Sequence, residues 1–309
     1  MSETMKLDFG KVAVMFGGNS AEREVSLDSG QAVLEALQHK GVDAHKFDPK
    51  ETPVIELLNQ EFDRVFIVLH GRGGEDGSLQ GMLNLLDIPY TGSGSQGSAF
   101  AMDKVRSKYL FLGAELPSAP FCVVNRHKAF DAESILAKLN GHVMVKPANE
   151  GSSIGISQAT TVSELQHAIG AAFEYDEDVL VEQWVTGREV TVSILNGEAL
   201  PIIEMRTPRQ FYDYDAKYKS TNTEYICPAP LDEILTKQIK EIAVSAFSLL
   251  GCSGWGRVDF IIDESGQPNL LEVNTVPGMT VTSLVPKAAN VAGLNFEQLV
   301  LAILRGSLG

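Results

Sequence analysis

Two short apolar runs, Lys11 to Phe16 and Val65 to Leu69, each stop abruptly at glycine, and this punctuation limits the possible folds of the 309-residue chain more than any other feature. The first run meets Gly17-Gly18. A stretch of helical period then follows, from Ala21 to His39, and closes at Gly41. The second run meets His70-Gly-Arg-Gly-Gly-Glu-Asp-Gly77. A helix over Leu79 to Leu86 and a short strand over Ile88 to Tyr90 come next. Buried strands that alternate with helices predict a parallel sheet, so residues up to about 93 read as a small α/β domain. Thr91-Gly-Ser-Gly-Ser-Gln-Gly97 has the composition of a linker. Beyond it the pattern predicts one helix over Ser98 to Gly113 and strands near Phe121 to Val124, His142 to Lys146, Gly155 to Ser157 and Val179 to Trp184, an α+β unit. From Val185 on, it predicts strands over Glu189 to Leu195, Gly256 to Ile262 and Asn269 to Val273. Helices are predicted over Asp232 to Leu250 and Phe296 to Leu304. The length suits two or three domains, and the boundaries fall at 1–95, 96–184 and 185–309. Arg206 to Pro230 is polar, aperiodic and rich in tyrosine, which predicts a lid or binding loop.

A net charge of −15 disfavours nucleic acid and anionic membrane surfaces as partners. The three cysteines lie far apart and form no C-x-x-C, so neither a disulfide framework nor a zinc site is expected. No apolar run approaches the ~20 residues that span a bilayer. Met1 to Gly10 lacks the apolar centre of a signal peptide, and a cytoplasmic location is expected.

Three segments carry chemistry. In Gly256-Arg-Val-Asp-Phe-Ile-Ile262 the alternation puts Arg257 and Asp259 on one face. Glu264-Ser-Gly-Gln267 signals a hairpin turn, and a symmetric turn on Ser265-Gly266 sets Asp259 opposite Glu272 and Arg257 opposite Asn274. Carboxylates directly across a sheet, with Cβ atoms roughly 5 Å apart, repel each other. A bound cation removes that repulsion, and Mg²⁺ suits the oxygen ligands. A solvated polar face on an edge hairpin fits the same spacing. The second segment is Val143-Met-Val-Lys-Pro-Ala-Asn-Glu-Gly-Ser-Ser-Ile-Gly155, where a strand delivers Lys146 into a Gly/Ser loop able to hold phosphate or simply to turn. It is no Walker A motif. The third is Gly17-Gly-Asn-Ser-Ala-Glu-Arg-Glu-Val-Ser-Leu27, where Glu22 beside a helix start could bind an ammonium, or Ser20 could merely cap the helix. Gly92-Ser-Gly-Ser-Gln-Gly97 matches G-x-G-x-x-G but lies between domains, away from the opening strand that a dinucleotide site requires.

These segments, together with Tyr90-Thr-Gly-Ser-Gly94, Met102-Asp-Lys104, Phe211-Tyr-Asp-Tyr-Asp-Ala-Lys-Tyr218, Gly254-Trp-Gly-Arg-Val-Asp259, Leu271-Glu-Val-Asn274 and Pro277-Gly-Met-Thr280, resemble the D-alanine–D-alanine ligases of the ATP-grasp superfamily over nearly the whole chain. The resemblance implies an ATP-grasp fold: an N-terminal parallel-sheet domain, with central and C-terminal domains clamping ATP. It implies Lys104 and Lys146 on the α- and β-phosphates, the loop with Ser153 closing over them, and Lys217 reaching the γ-phosphate. The base would lie along Glu182, Trp184 and Val185, with Glu189 on the ribose and Tyr212 close by. Asp259, Glu272 and Asn274 would hold two Mg²⁺, with Mn²⁺ as a possible substitute.

The implied reaction runs from D-alanine and ATP through an acyl phosphate to D-alanyl-D-alanine, a peptidoglycan precursor. Glu22 would hold the first ammonium, while Ser283 and Leu284 would hold the second carboxylate. Arg257 and the Gly278 N–H would stabilise the oxyanion. Ser152 and Tyr218 would bond toward Glu22 and keep the lid closed, and His70 would bond near the substrate and the acyl phosphate. The resemblance departs at Val276, where many members carry serine. Members are commonly homodimers. D-alanine–D-lactate or D-serine ligases and other ATP-grasp acid–amine ligases share the fold. The Lys217-Tyr218 pair matches the dipeptide-forming group, and an intact Arg257, Asp259, Glu272 and Asn274 set argues against a non-catalytic ATP sensor.

Overall fold

A computed structural model describes residues 8–207 and 223–308. Tyr212, Lys217 and Tyr218 lie outside them. Strand β1 (Val12–Met15) is buried at every position and lies between β2 (Ala44–Phe47) and β3 (Arg64–Ile67), parallel to both. Full burial is what a central parallel strand covered on both faces demands. The helix Arg23–His39 covers the sheet with Ser26, Ser29, Gly30, Val33, Leu34 and Leu37, the spacing of one helical face. Gly30 is required there: a Cβ would sit 2.0 Å from the Phe16 ring. Where the sequence predicts a strand over Ile88 to Tyr90, only an isolated bridge, Val65 to Tyr90, forms.

The second sheet is antiparallel, in the order β4 (Phe121–Asn125), β7 (Asp178–Gln183), β5 (Val143–Pro147), β6 (Ser157–Ala159). The single helix expected over Ser98 to Gly113 is two, Ser95–Met102 and Lys104–Gly113. Asp103 is extended between them, and its carboxylate accepts from the Arg106 N–H and caps the second helix. The Lys104 N–H bonds to Ala148 O, 2.9 Å, and this fixes the start of its helix beside the Gly/Ser loop.

The third sheet runs β11 (Glu224–Ile226), β10 (Ile203–Arg206), β8 (Gly187–Leu195), β12 (Trp255–Asp263), β13 (Pro268–Asn274), with β9 (Glu198–Ala199) paired to β8. Part of the stretch expected to be aperiodic is therefore strand: Glu204 pairs with Ile226 and Arg206 with Glu224. The C-terminal helices Leu284–Val291 and Phe296–Arg305 return to the first sheet. Leu284, Val285, Leu299 and Ile303 share one apolar core with Val12, Phe66 and Leu37. Arg64 fastens this return, donating to Ser307 O at 2.8 Å and to Phe9 O at 2.6 Å. Ala101 and Phe111 join the core of the third sheet rather than the second. The three sheets thus meet around one cleft.

Candidate active site

The cleft holds a cavity of about 450 Å³. Its walls come from all three regions: Glu22, His70 and Glu75 from the first, Lys104, Gly151 and Ser152 from the second, and Arg257, Glu272, Asn274, Gly278 and Ser283 from the third.

Glu22 is 7 % exposed and stands at the N-terminus of the helix Arg23–His39. Ser20 does not cap that helix. Its hydroxyl donates to His70 O at 2.7 Å and accepts the Glu22 N–H, so it ties the two glycine-rich loops together. The Glu22 carboxylate fits between Gly71 and Gly151, where Cβ atoms would come within 2.6 and 2.7 Å of Oε2. Ser152, from the central region, donates its hydroxyl to Glu22 Oε1. That contact crosses the cleft and joins two residues that the family resemblance pairs.

His70 is buried, and its Nδ1 lies 2.7 Å from Val276 O. A carbonyl only accepts, so Nδ1 carries the hydrogen. Burial, with Arg257 nearby, lowers the imidazole to about 4 against the pull of the Val276 bond, so the ring is neutral and Nε2 is a bare acceptor. No described protein group bonds to that nitrogen, although it is buried. Glu75, which no sequence pattern singled out, accepts from the Gly71 N–H at 2.6 Å and the Val276 N–H at 3.2 Å. Burial and the neighbouring Glu22 charge raise its carboxyl to about 8.

On the hairpin, Arg257 stands opposite Asn274 and Asp259 opposite Glu272. Asp259 accepts four hydrogen bonds: from Thr191 Oγ1 at 2.6 Å, Arg257 Nε and Nη2 at 2.8 Å each, and Asn274 Nδ2 at 3.0 Å. Thr191 reaches it because β8 pairs with β12 in the register Thr191 to Asp259. The alternation Glu189-Val-Thr-Val-Ser193 held that signal, but only the pairing of the strands reveals it. Lys104 Nζ sits 3.6 Å from Glu272 Oε2 and donates to Glu150 O at 2.6 Å. Two carboxylates and an amide side by side, with Asp259 held in place by neighbouring donors, form the hard oxygen set that suits Mg²⁺ or Mn²⁺.

On the side where the sequence places a nucleotide, Lys146 Nζ bonds Glu182 Oε2 at 2.7 Å. Trp184 stacks on His142 at 4.8 Å and donates to Thr186; Val185 and Glu189 are partly exposed. Ser152 and Ser153 both have left-handed backbones, φ 50° and 61°, uncommon for residues with a Cβ and suited to turning successive N–H groups toward an anion. Arg72 clasps this loop from the first region, donating to Glu150 at 2.7 Å and to Asp176 at 2.8 Å. Ser283 Oγ accepts the Thr280 N–H at 3.0 Å, and Leu284 begins the following helix. A Cβ on Gly278 would come 3.2 Å from Ser283 Oγ.

Comparisons with known proteins converge. Sequence profiles of the D-ala D-ala ligase N-terminus and C-terminus match residues 43–93 and 110–305. A D-alanine–D-alanine ligase of Pseudoalteromonas translucida is 58% identical, covering 98% of this chain and 99% of that protein. One of Acinetobacter baylyi is 52% identical, covering 97% and 96%. The crystal structure of the Bacillus anthracis D-alanine–D-alanine ligase complexed with ATP superposes with a TM-score of 0.85 at 30% identity, covering 96% of this chain and 97% of that one.

Proposed function

The chain belongs to the D-alanine–D-alanine ligase family, and on that premise we propose how its own residues join two D-alanines with ATP to supply a peptidoglycan precursor. The observation that carries the assignment of roles is the cavity in which Glu22, His70, Arg257, Glu272 and Asn274 meet.

The first D-alanine carboxylate attacks the γ-phosphate, giving an acyl phosphate and ADP. The amine of the second then attacks the acyl carbon, and phosphate leaves. Glu22, narrowly housed between two glycines, holds the first ammonium. Lys104 and Lys146 hold the α- and β-phosphates, and Ser153 closes over them. Lys217 and Tyr212 are expected to complete the nucleotide site, with Glu182, Trp184 and Val185 along the base and Glu189 at the ribose. Mg²⁺ or Mn²⁺ held by Asp259, Glu272 and Asn274 would neutralise the charge on the transferring phosphate. Arg257 and the Gly278 N–H face the oxyanion of the second step.

A bare His70 Nε2 can only accept, so it suits the N–H groups of the second amine better than an acyl phosphate oxygen. Ser283 and the start of its helix suit the second carboxylate. The contact of Ser152 with Glu22 keeps water from the acyl phosphate, and Tyr218, outside the described residues, is expected to join it. Residues 1–95, 96–184 and 185–309 are the working units of this reading, with a lid over about 206–230. A homodimer and a cytoplasmic location belong to the same proposal. Among the described residues no single helix is long and apolar enough to cross a membrane.

Phosphate release from Mg-ATP is the test, with D-alanine, L-alanine, D-lactate plus D-alanine, or no amino acid, and the product weighed by mass spectrometry. Phosphate and dipeptide with D-alanine alone are expected. Stimulation only when D-lactate is added would assign the chain to the depsipeptide-forming branch.

A further inference from the structure

Lys108 is among the largest fully buried side chains of the protein, 1 % exposed, and the reaction as described gives it no task. It rises from the helix Lys104–Gly113 into the junction of the second and third sheets. Its ammonium forms an ion pair with Glu182 Oε1, donates to Ser118 Oγ at 2.5 Å and donates to Leu270 O at 3.0 Å. Three acceptors surround a group that carries three N–H bonds, which is the environment of a charged lysine. Glu182 is itself 2 % exposed, and its other oxygen is held by Lys146. One buried carboxylate therefore has two lysines, and they differ in freedom. Lys108 is enclosed on all sides. Lys146 is only partly buried, on the neighbouring strand at the edge of the phosphate loop.

We propose that Lys108 is a positioning residue for the nucleotide: it holds Glu182 as a fixed, charged carboxylate, which lets Lys146 leave for phosphate and lets Oε2 accept the exocyclic amine of adenine. This rests on the placement of the base along Glu182. Without a permanent counterion, departure of Lys146 would strand a buried carboxylate, and an uncompensated buried charge is strongly disfavoured. The cluster of two lysines and one glutamate keeps a net positive charge for the phosphates. Burial opposes ionisation of both partners: it draws Lys108 below its ordinary value against the pull of Glu182, while the charges of Lys108 and Lys146 hold the Glu182 carboxyl below the usual range, so the charged state of the pair rests on the three acceptors around the ammonium. The same arrangement sets base specificity. Adenine offers an N–H donor at C6 where guanine offers a carbonyl, which a carboxylate repels. Lys108 also grips Leu270 on β13, the strand that carries Glu272 and Asn274, so the base side and the proposed metal side share one anchor.

The experiment measures ATP and GTP binding to the full-length protein by calorimetry, which does not depend on turnover. Lys108→Met should weaken ATP at least tenfold and reduce the ATP-over-GTP preference at least tenfold. Lys108→Met/Glu182→Gln removes both buried charges. It should recover the thermal stability lost in the single variant while the preference for ATP stays reduced. If the single variant fails to fold, the double variant is the measurement. A wild-type ATP preference in either folded variant would overturn the proposal. Wild-type protein that binds ATP but shows no D-alanine-dependent phosphate release would sink the ligase reading and leave the Lys108 inference to be decided by the binding data.

Discussion

Thr191→Val changes one group at the hairpin and leaves its shape. In the structure the hydroxyl donates 2.6 Å to Asp259 Oδ1, and Arg257 Nε is the other donor to that oxygen. Valine fills the same volume and removes one of four hydrogen bonds to a carboxylate that is 9 % exposed. A hydrogen bond to a charged group contributes about 1.5–3 kcal/mol. The added apolar contact offsets part of this, which leaves a net loss of about 1–2 kcal/mol. Spread over a molecule of this size, that is a fall in unfolding temperature of about 1.5–3 °C. The larger effect falls on the metal. A ligand carboxylate that loses a supporting hydrogen bond typically gives up about 10–100-fold in metal affinity or activity. The assay is D-alanine-dependent phosphate release titrated with Mg²⁺, beside a thermal melt. Thr191→Val should shift the half-saturating Mg²⁺ upward by that factor, and Thr191→Ser, which keeps the hydroxyl, should not. A valine variant with wild-type Mg²⁺ dependence and turnover would show that the orientation of Asp259 is set without Thr191.

Glu272→Gln should abolish turnover with an unchanged melt and circular dichroism spectrum, and full activity with normal Mg²⁺ dependence would remove Glu272 from the metal site. Arg72→Gln opens the clasp on Glu150 and Asp176. Arg72 is 48% exposed, so the loss is about 1 kcal/mol, or about a fivefold rise in the KM for ATP. Phosphate release should then outrun dipeptide formation as water reaches the acyl phosphate. Strict coupling with an unchanged KM would assign Arg72 to the surface alone. Glu75 has a folded value of about 8 against an ordinary 4.5, so the folded state holds a proton that the unfolded state has lost. Its contribution to stability is complete below about pH 4.5 and is lost as pH rises through 8. Melts from pH 5 to pH 9 should therefore fall more steeply in the wild type than in Glu75→Gln, and parallel slopes would refute the raised value.

The glycine-punctuated strands at the N-terminus were legible because a buried parallel strand and a glycine turn are local patterns. The Glu22 and Lys146 segments were legible for the same reason. Asp103 shows a signal that was present and overlooked: an N-cap carboxylate three residues before Arg106 divides what reads as one helix. Lys108, Glu75, Thr191 and Arg72 are different. Each acts on a partner remote in sequence, Lys108 on Glu182, Glu75 on Val276, Thr191 on Asp259 and Arg72 on Asp176. Only the pairing of strands distant in sequence, or the packing of one region on another, brings such pairs together, and no periodicity encodes it.

The metal hairpin joins both cases. A symmetric turn on Ser265-Gly266 predicts Asp259 opposite Glu272, and that pair forms. The turn, however, is not symmetric. Asp263 N–H bonds to Gln267 O across the three residues Glu264, Ser265 and Gly266, with Gly266 at φ 86°. The first pairs are therefore Ile262 with Pro268 and Phe260 with Leu270, one residue out of the expected register. A β-bulge next to Leu271 restores it before Asp259. Side chains alternate with a period of two, so without the extra residue Glu272 would point to the apolar face and Leu271 would face Asp259. The strand is held at that point: the Leu270 N–H bonds to Pro117 O at 2.8 Å and its carbonyl accepts from Lys108. The placement of two facing carboxylates thus depends on a turn, a bulge and a buried lysine from the helix Lys104–Gly113. The sequence pattern reached the right pair because two departures from symmetry cancel.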